Sequence, residues 1–165
     1  MLRDASYTIN DAWATDTDSV AMKSTLRRGT YTALNIYLQT NLSAHLDSYG
    51  STRILGYCNL PSNNSNTPSD YSQDGCNVIA GSLPYGTMLG YNQGKTAVHE
   101  TGHWFGLLHT FQDNSCAIGD PGDYIDDTPQ ESAATYGCPE SKDSCPQSPG
   151  EDPIENYMDY SDDSW

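Results

Sequence analysis

Three of the four histidines in this 165-residue chain lie in one short run, His99-Glu100-Thr101-Gly102-His103-Trp104-Phe105-Gly106-Leu107-Leu108-His109. On a helix, His99 and His103 project from one face a turn apart, a spacing that lets two imidazoles bind one zinc ion. Glu100 is rotated by about 100° from His99 at 3.6 residues per turn. It is badly placed to share the metal but well placed to reach a water on it. Gly106 can take a left-handed conformation that ends the helix and reverses the chain, bringing His109 back as a third nitrogen ligand. Three protein ligands leave the fourth tetrahedral position to water, which distinguishes a catalytic from a structural zinc site. Zinc held this way lowers the pKa of its water from 15.7 to about 7 and polarises a carbonyl. Glu100 would accept the water's proton and pass it to a leaving amine. A bare His-Glu-x-x-His arises by accident. Fixing Gly106 and His109 as well cuts the chance to the order of one in 10⁵ chains of this length. The fourth histidine, His45, has no motif around it and reads as a loop or surface residue.

The elements that must position this run are short. Residues 11–28 read as a helix, with Asp16 or Asp18 as N-cap and Gly29 as the stop. Residues 31–42, 54–60 and 77–81 read as strands, 62–70 as a loop, and 84–90 as an edge strand or loop. A helix between short strands, then one strong helix over about 92–106 and a long irregular tail, points to an α/β or α+β domain. The length suits a single domain over 1–165. Residues 1–109 would form a sheet and active-site helix subdomain, and 110–165 a C-terminal subdomain.

Charge divides the chain at the same place. Residues 1–110 carry 8 acids and 6 bases, whereas 111–165 carry 14 acids and one base, Lys142. Such an acidic segment repels itself unless neutralised, so it is either a solvated tail or an ion-binding, disulfide-clamped region. A net charge of −15 argues against nucleic-acid partners. No apolar run reaches the roughly 18 residues that span a bilayer, so a soluble chain without a membrane role is expected. Mean hydropathy of −0.65 comes from Tyr, Asn, Ser, Gly and Asp, and 10% aromatics is enough for a core.

Five cysteines, Cys58, Cys76, Cys116, Cys138 and Cys145, suit an oxidising compartment, and their odd number leaves one thiol over. Sequence alone allows about 15 ways of making two bridges, of which spacing favours one containing Cys58–Cys76. The sequons Asn41-Leu42-Ser43 and Asn63-Asn64-Ser65 are compatible with secretion. Met1-Leu2-Arg3-Asp4 leads into polar sequence rather than a signal peptide, so a secreted protein would have this chain as a mature or excised piece.

A second motif, Asn156-Tyr157-Met158-Asp159-Tyr160, lies about fifty residues downstream. With the histidine run, with Gly122-Asp123-Tyr124-Ile125-Asp126-Asp127-Thr128-Pro129 and with the stretch from Asp152 to Asp163, the chain resembles the pappalysin branch of the metzincin zinc peptidases. The similarity is greatest to small secreted fungal and archaeal extracellular members and covers essentially the whole chain. It implies a zincin catalytic domain with a short twisted mixed sheet and an irregular C-terminal part containing a Met-turn. His99, His103 and His109 would be the zinc ligands, Glu100 the general base and acid, and Met158 the structural turn beneath the metal. Tyr160 would hydrogen-bond the oxyanion, against the plainer reading of a packing aromatic.

The resemblance also implies a structural calcium ion held by Asp123, the Ile125 carbonyl and Thr128, where an exposed acidic turn is the alternative. It pairs Cys116 with Cys145. The family's remaining cysteine falls where this chain has Trp165, which leaves Cys138 without its partner. Relatives continue at both ends, so a trimmed catalytic domain is expected. The function implied is a secreted, monomeric, zinc-dependent endopeptidase acting on proteins or peptides through a zinc-bound water activated by Glu100. The alternative is a catalytically impaired zinc- and calcium-binding fragment or pseudoenzyme.

Overall fold

Asn10 and Asp18 each open a helix by accepting a backbone N–H: Trp13 N donates to Asn10 Oδ1 at 3.1 Å, and Ala21 N to Asp18 Oδ1 at 3.3 Å. The computed structural model describes residues 10–42, 54–63 and 67–164; His45 lies outside them. It has two helices, α1 (Asp11–Ala14) and α2 (Ser19–Leu26), where the sequence reads as one over 11–28. The break is at Asp16, a buried residue with φ +61. Its carboxylate accepts from Gln39 Nε2 (3.2 Å), Asn77 Nδ2 (3.0 Å) and Tyr57 Oη (3.1 Å). Three donors compensate the carboxylate's burial, and turning it toward them breaks the helix. Gly29 does not end α2, which stops at Leu26; it lies in the turn beyond.

The strands are also shorter than the sequence suggests. Only Ile36–Gln39 (β1) of 31–42 is extended, because Asn35 closes a turn by bonding both the N–H (2.9 Å) and the C=O (3.0 Å) of Arg28. Gly56–Cys58 forms β2, and Cys76–Ile79 forms β3, which runs into a 3₁₀ turn at Ala80–Ser82. Residues 84–90 are loop. The sheet is mixed, in the order β1-β3-β2: β1 is parallel to β3, and β2 antiparallel to it with Gly56 opposite Val78 and Cys58 opposite Cys76. Side chains alternate along a strand. Tyr37, Gln39, Tyr57 and Asn77 therefore face α1 and α2, while Gly56, Cys58, Cys76 and Val78 face the long helix α3 (Lys95–Trp104). That helix is narrower than 92–106: Gly94 at φ +91 precedes it and Phe105 caps it.

After α3 the chain abandons regular structure, and the 3₁₀ turn Gln112–Asn114 is the one regular element among the described residues of 105–164. Disulfides join Cys58 to Cys76 and Cys116 to Cys145, and Cys138 is free and exposed. Buried apolar residues are few (Met22, Tyr37, Leu42, Val78, Ile154 and Met158 among them), and buried polar ones outnumber them. The C-terminal part is organised around Lys142, the one base among 14 acids. Its ammonium donates to Glu131 Oε1 (2.9 Å), Thr135 Oγ1 (3.1 Å) and the Ala133 carbonyl, and pairs with Asp152 Oδ2 at 3.1 Å. Burial pushes the Lys142 pKa down, but the bonds and charges of Glu131 and Asp152 outweigh it and hold it above its ordinary value. No helix of the described residues is long and apolar enough to cross a membrane.

Removing the cation leaves two fully buried carboxylates facing each other. Lys142→Met should therefore lower unfolding stability by about 2–4 kcal/mol, a little under the roughly 3–5 kcal/mol of a fully buried pair because the Lys142 side chain is 24% exposed. Denaturant unfolding tests this, and a change below about 0.5 kcal/mol, as for an ordinary surface lysine, would refute it.

Candidate metal centre

α3 holds His99 and His103 on one face, and its end sets the third histidine. Gly106, at φ +94, closes the helix in a Schellman turn: Leu107 N donates to Gly102 O (3.0 Å) and Gly106 N to His103 O (2.9 Å). The reversal returns His109 to the helix face. Its Nε2 lies 3.2 Å from His99 Nε2 and 3.1 Å from His103 Nε2, and those two are 3.1 Å apart. Among the described residues this is the one group of three potential metal-ligating side chains whose ligand atoms all lie within 4.8 Å of one another.

These contacts are not ordinary hydrogen bonds. His99 Nδ1 lies 2.6 Å from the Tyr157 carbonyl and His103 Nδ1 lies 2.8 Å from the Leu107 carbonyl. A carbonyl only accepts, so Nδ1 carries the proton in both rings and each Nε2 is a bare lone pair. Burial pushes the pKa of His99 down to about 4 and that of His103 below its ordinary value. His109 is pushed down to about 3, by burial first and then by its two imidazole neighbours. Neutral lone pairs converging on one point fit a cation. Zinc–nitrogen bonds of about 2.0–2.1 Å in a tetrahedron give nitrogen separations of roughly 3.3–3.4 Å, close to those observed.

Glu100 sits on the adjoining flank of α3, almost fully buried, and lines the same cleft as the histidines. Its Oε2 has no hydrogen-bond partner, and burial pushes its pKa up to about 8. Room for it comes from β2: a Cβ at Gly56 would fall 2.6–2.8 Å from the Glu100 side chain. Gly102 plays the corresponding part on the other side, since a Cβ there would collide with the sulfur of buried Met158. Sequence reasoning missed both glycines. Gly102 carried a signal, because glycine inside a helix costs about 1 kcal/mol relative to alanine. Gly56, far upstream in a three-residue strand, carried none.

Tyr160 reaches the centre from the opposite wall, its Oη 3.2 Å from His109 Nε2. The Phe111 ring stacks on His109 at 4.8 Å with 7° between planes, and also packs edge-on against Tyr160. The chain after Met158 is tied to the loop before α3: Gln93 N donates to Asp163 Oδ2 (2.6 Å) and Asp163 N to Gly90 O (2.7 Å). The result is a cleft floored by α3, with β2 on one side and Tyr136, Tyr157 and Tyr160 on the other.

Asp123, Ile125 and Thr128 lie away from this centre, in a separate hollow with Asp120 and Asp127. Asp120 Oδ1 accepts from Gly122 N and Asp123 Oδ1 from Ile125 N, while the Ile125 carbonyl accepts from Thr128 N. The loop is thus closed by its own bonds. Its carboxylates do not come together as the three histidines do.

Comparison with known proteins agrees with this geometry. The family model Peptidase_M43, described as pregnancy-associated plasma protein-A, matches residues 17–164. An extracellular metalloprotease of Aspergillus fumigatus is 51% identical over 183 residues, covering 98% of this chain and 57% of that protein. Extracellular metalloproteases of Aspergillus oryzae and Neurospora crassa are each 46% identical, over 57% and 52% of their lengths. The chain thus spans about half the length of the curated relatives it matches. Among solved structures, mature mirolysin of Tannerella forsythia in complex with a cleaved peptide superposes with a TM-score of 0.67 at 29% identity, over 93% of this chain and 55% of that one. The fold is that of the metzincins.

Metal-free protein should take up one zinc ion per chain, and His109→Ala should weaken the uptake by roughly 100-fold or more. Competition against a chromophoric chelator measures both. Equal affinity with and without His109 would dismiss it as a ligand.

Proposed function

Because the chain belongs to the Peptidase_M43 family, we propose that it is the catalytic domain of a secreted zinc endopeptidase that cleaves internal bonds of proteins or peptides. The observation carrying this reading is the convergence of three imidazole lone pairs beside an unpartnered buried carboxylate in an open cleft. The two parts, 1–109 and 110–165, act as one monomeric domain. Relatives named as extracellular metalloproteases and two disulfides support secretion.

His99, His103 and His109 hold the metal. When bound, zinc supplies Lewis acidity, which polarises a peptide carbonyl and makes water a nucleophile near neutral pH. Glu100 does the proton work: its free Oε2 takes the proton from the attacking water and delivers it to the departing amine nitrogen. Burial raises its proton affinity above that of an ordinary carboxylate, which favours taking the proton. Tyr160 directs its phenol toward the centre and donates to the oxyanion that develops on the carbonyl. Met158 takes no part in the chemistry; it fills the space that Gly102 leaves beneath the helix. By the sequence resemblance alone, Asp123, the Ile125 carbonyl and Thr128 would hold a calcium ion, which would offset the negative charge of the C-terminal part.

The first test is cleavage of a labelled unstructured protein by zinc-loaded chain, with and without a zinc chelator. Chelator-sensitive cleavage supports the reading, whereas one bound zinc without cleavage leaves a chain that holds metal and does not turn over. Glu100→Ala should abolish hydrolysis with zinc retained, and unchanged activity would remove Glu100 from the mechanism. Tyr160→Phe should lower kcat by about 10- to 100-fold with little change in KM, and equal losses in both would assign the ring to packing. Calcium should raise the melting temperature of the parent but not of Asp123→Ala; identical melting with and without calcium discards the calcium site.

A further inference from the structure

Two of the three histidines are fixed by the helix that carries them and by carbonyls on their Nδ1 atoms, but His109 has neither. It stands beyond the helix, in a stretch without ladders, and its Nδ1 has no hydrogen-bond partner among the described residues. Phe111 sets the plane of its ring, yet something must fix its distance from α3. The next residue supplies buried polar anchors: its N–H donates to the Met158 carbonyl at 3.3 Å, and its side chain makes a second bond. Thr110, 2% exposed, donates its hydroxyl to Glu131 Oε2 at 2.6 Å.

The other oxygen of Glu131 leads to the opposite wall of the cleft. Glu131 Oε1 accepts from Lys142 Nζ (2.9 Å) and from the Thr135 hydroxyl (3.0 Å). Thr135 N donates to Asp159 Oδ1 at 2.9 Å, and that same oxygen accepts the backbone N–H of Tyr160 at 2.8 Å. Thr135 and Asp159 are buried, and Glu131 is 1% exposed. One buried carboxylate is thus tied through one oxygen to the neighbour of His109, and through the other to the backbone of Tyr160. Lys142 pairs with that carboxylate at 2.9 Å, with Asp152 on its far side at 3.1 Å.

We propose that Glu131 is a positioning residue that sets the third zinc ligand and the cleft tyrosine relative to each other. It touches neither metal nor substrate and acts through two threonine hydroxyls. This rests on the zinc-peptidase reading above. A carboxylate that only held the C-terminal part together would serve stability alone. A positioning carboxylate transmits each loss to a different step, because its two arms end on different groups.

Cutting the arms separately tests this in the full chain. Thr110→Val severs the link to His109 and should raise the zinc dissociation constant about 10-fold, with Thr110→Ser restoring it. Thr135→Val severs the link to Tyr160 and should lower kcat about 10-fold, with KM and zinc affinity near the parent's. Thr135→Ser should restore kcat. Ser144→Ala is the control, since its hydroxyl bonds Asp152 and the Ser132 N–H, on the Lys142 side of Glu131 and on neither threonine arm. It should lower the urea midpoint of the metal-free protein comparably while leaving zinc affinity and kcat unchanged. If a valine variant does not fold, alanine at the same position makes the same cut with a smaller side chain. A parent that binds no zinc overturns the proposed function, and the positioning role with it. A parent that binds zinc and cleaves, with both valine variants matching it or the Ser144→Ala control losing as much, overturns the positioning role alone.

Discussion

Three imidazole nitrogens must point at one spot, and much of the structure around α3 serves to hold them there. The ring nitrogens of His99, His103 and His109 lie 3.1–3.2 Å apart. Each must be held by its own support. Two carbonyls, Tyr157 O and Leu107 O, fix the tautomer and the direction of the first two rings. The third ring depends on a Schellman turn, an aromatic stack and a threonine. Preorganisation of this kind places the cost of assembling the centre in the fold and leaves less of it to be met on binding.

The two parts of the chain supply their support by different physics. Before α3, hydrogen bonds run between strands, and the buried carboxylate of Asp16 is satisfied by side chains on two of them, β1 and β3, and by Tyr57 from β2. After α3 there is almost no ladder; turn carbonyls take many backbone N–H groups, and carboxylates take others: Asp152 takes Ser144 N, Asp159 takes Thr135 N and Tyr160 N, and Asp162 takes Gly137 N. The acidic excess of this segment, seen in the sequence only as charge, is in part its backbone's set of hydrogen-bond acceptors. Aspartate accepts at short range without needing regular dihedrals, which suits a chain of turns.

How much of this was legible beforehand follows from how local each feature is. The His99–His109 run could be read because helix period and a glycine stop act within ten residues. The metzincin fold and the family came from two motifs together. The pattern over 11–28 reads as one continuous helix because the force that breaks it at Asp16 comes from Gln39, Tyr57 and Asn77, far along the chain. The strands were read long because their residues have strand propensity, while pairing ended them after three or four positions. Glu131 and Lys142 looked like members of a charge count. Gly56 looked like nothing at all, since its importance is the space that a side chain would fill.

That space makes the alignment of β2 against β3 matter more than its three residues suggest. Gly56 faces Glu100, and Cys58, on the same side of the strand, is bonded to its direct cross-strand partner Cys76. A slip of one residue would carry Leu55 or Tyr57 over Glu100, and either side chain would occupy the volume of the carboxylate. So short a ladder has little to choose between neighbouring alignments. The crosslink two positions away removes the choice: it works as an error check on assembly, admitting the one alignment in which the acid has somewhere to be.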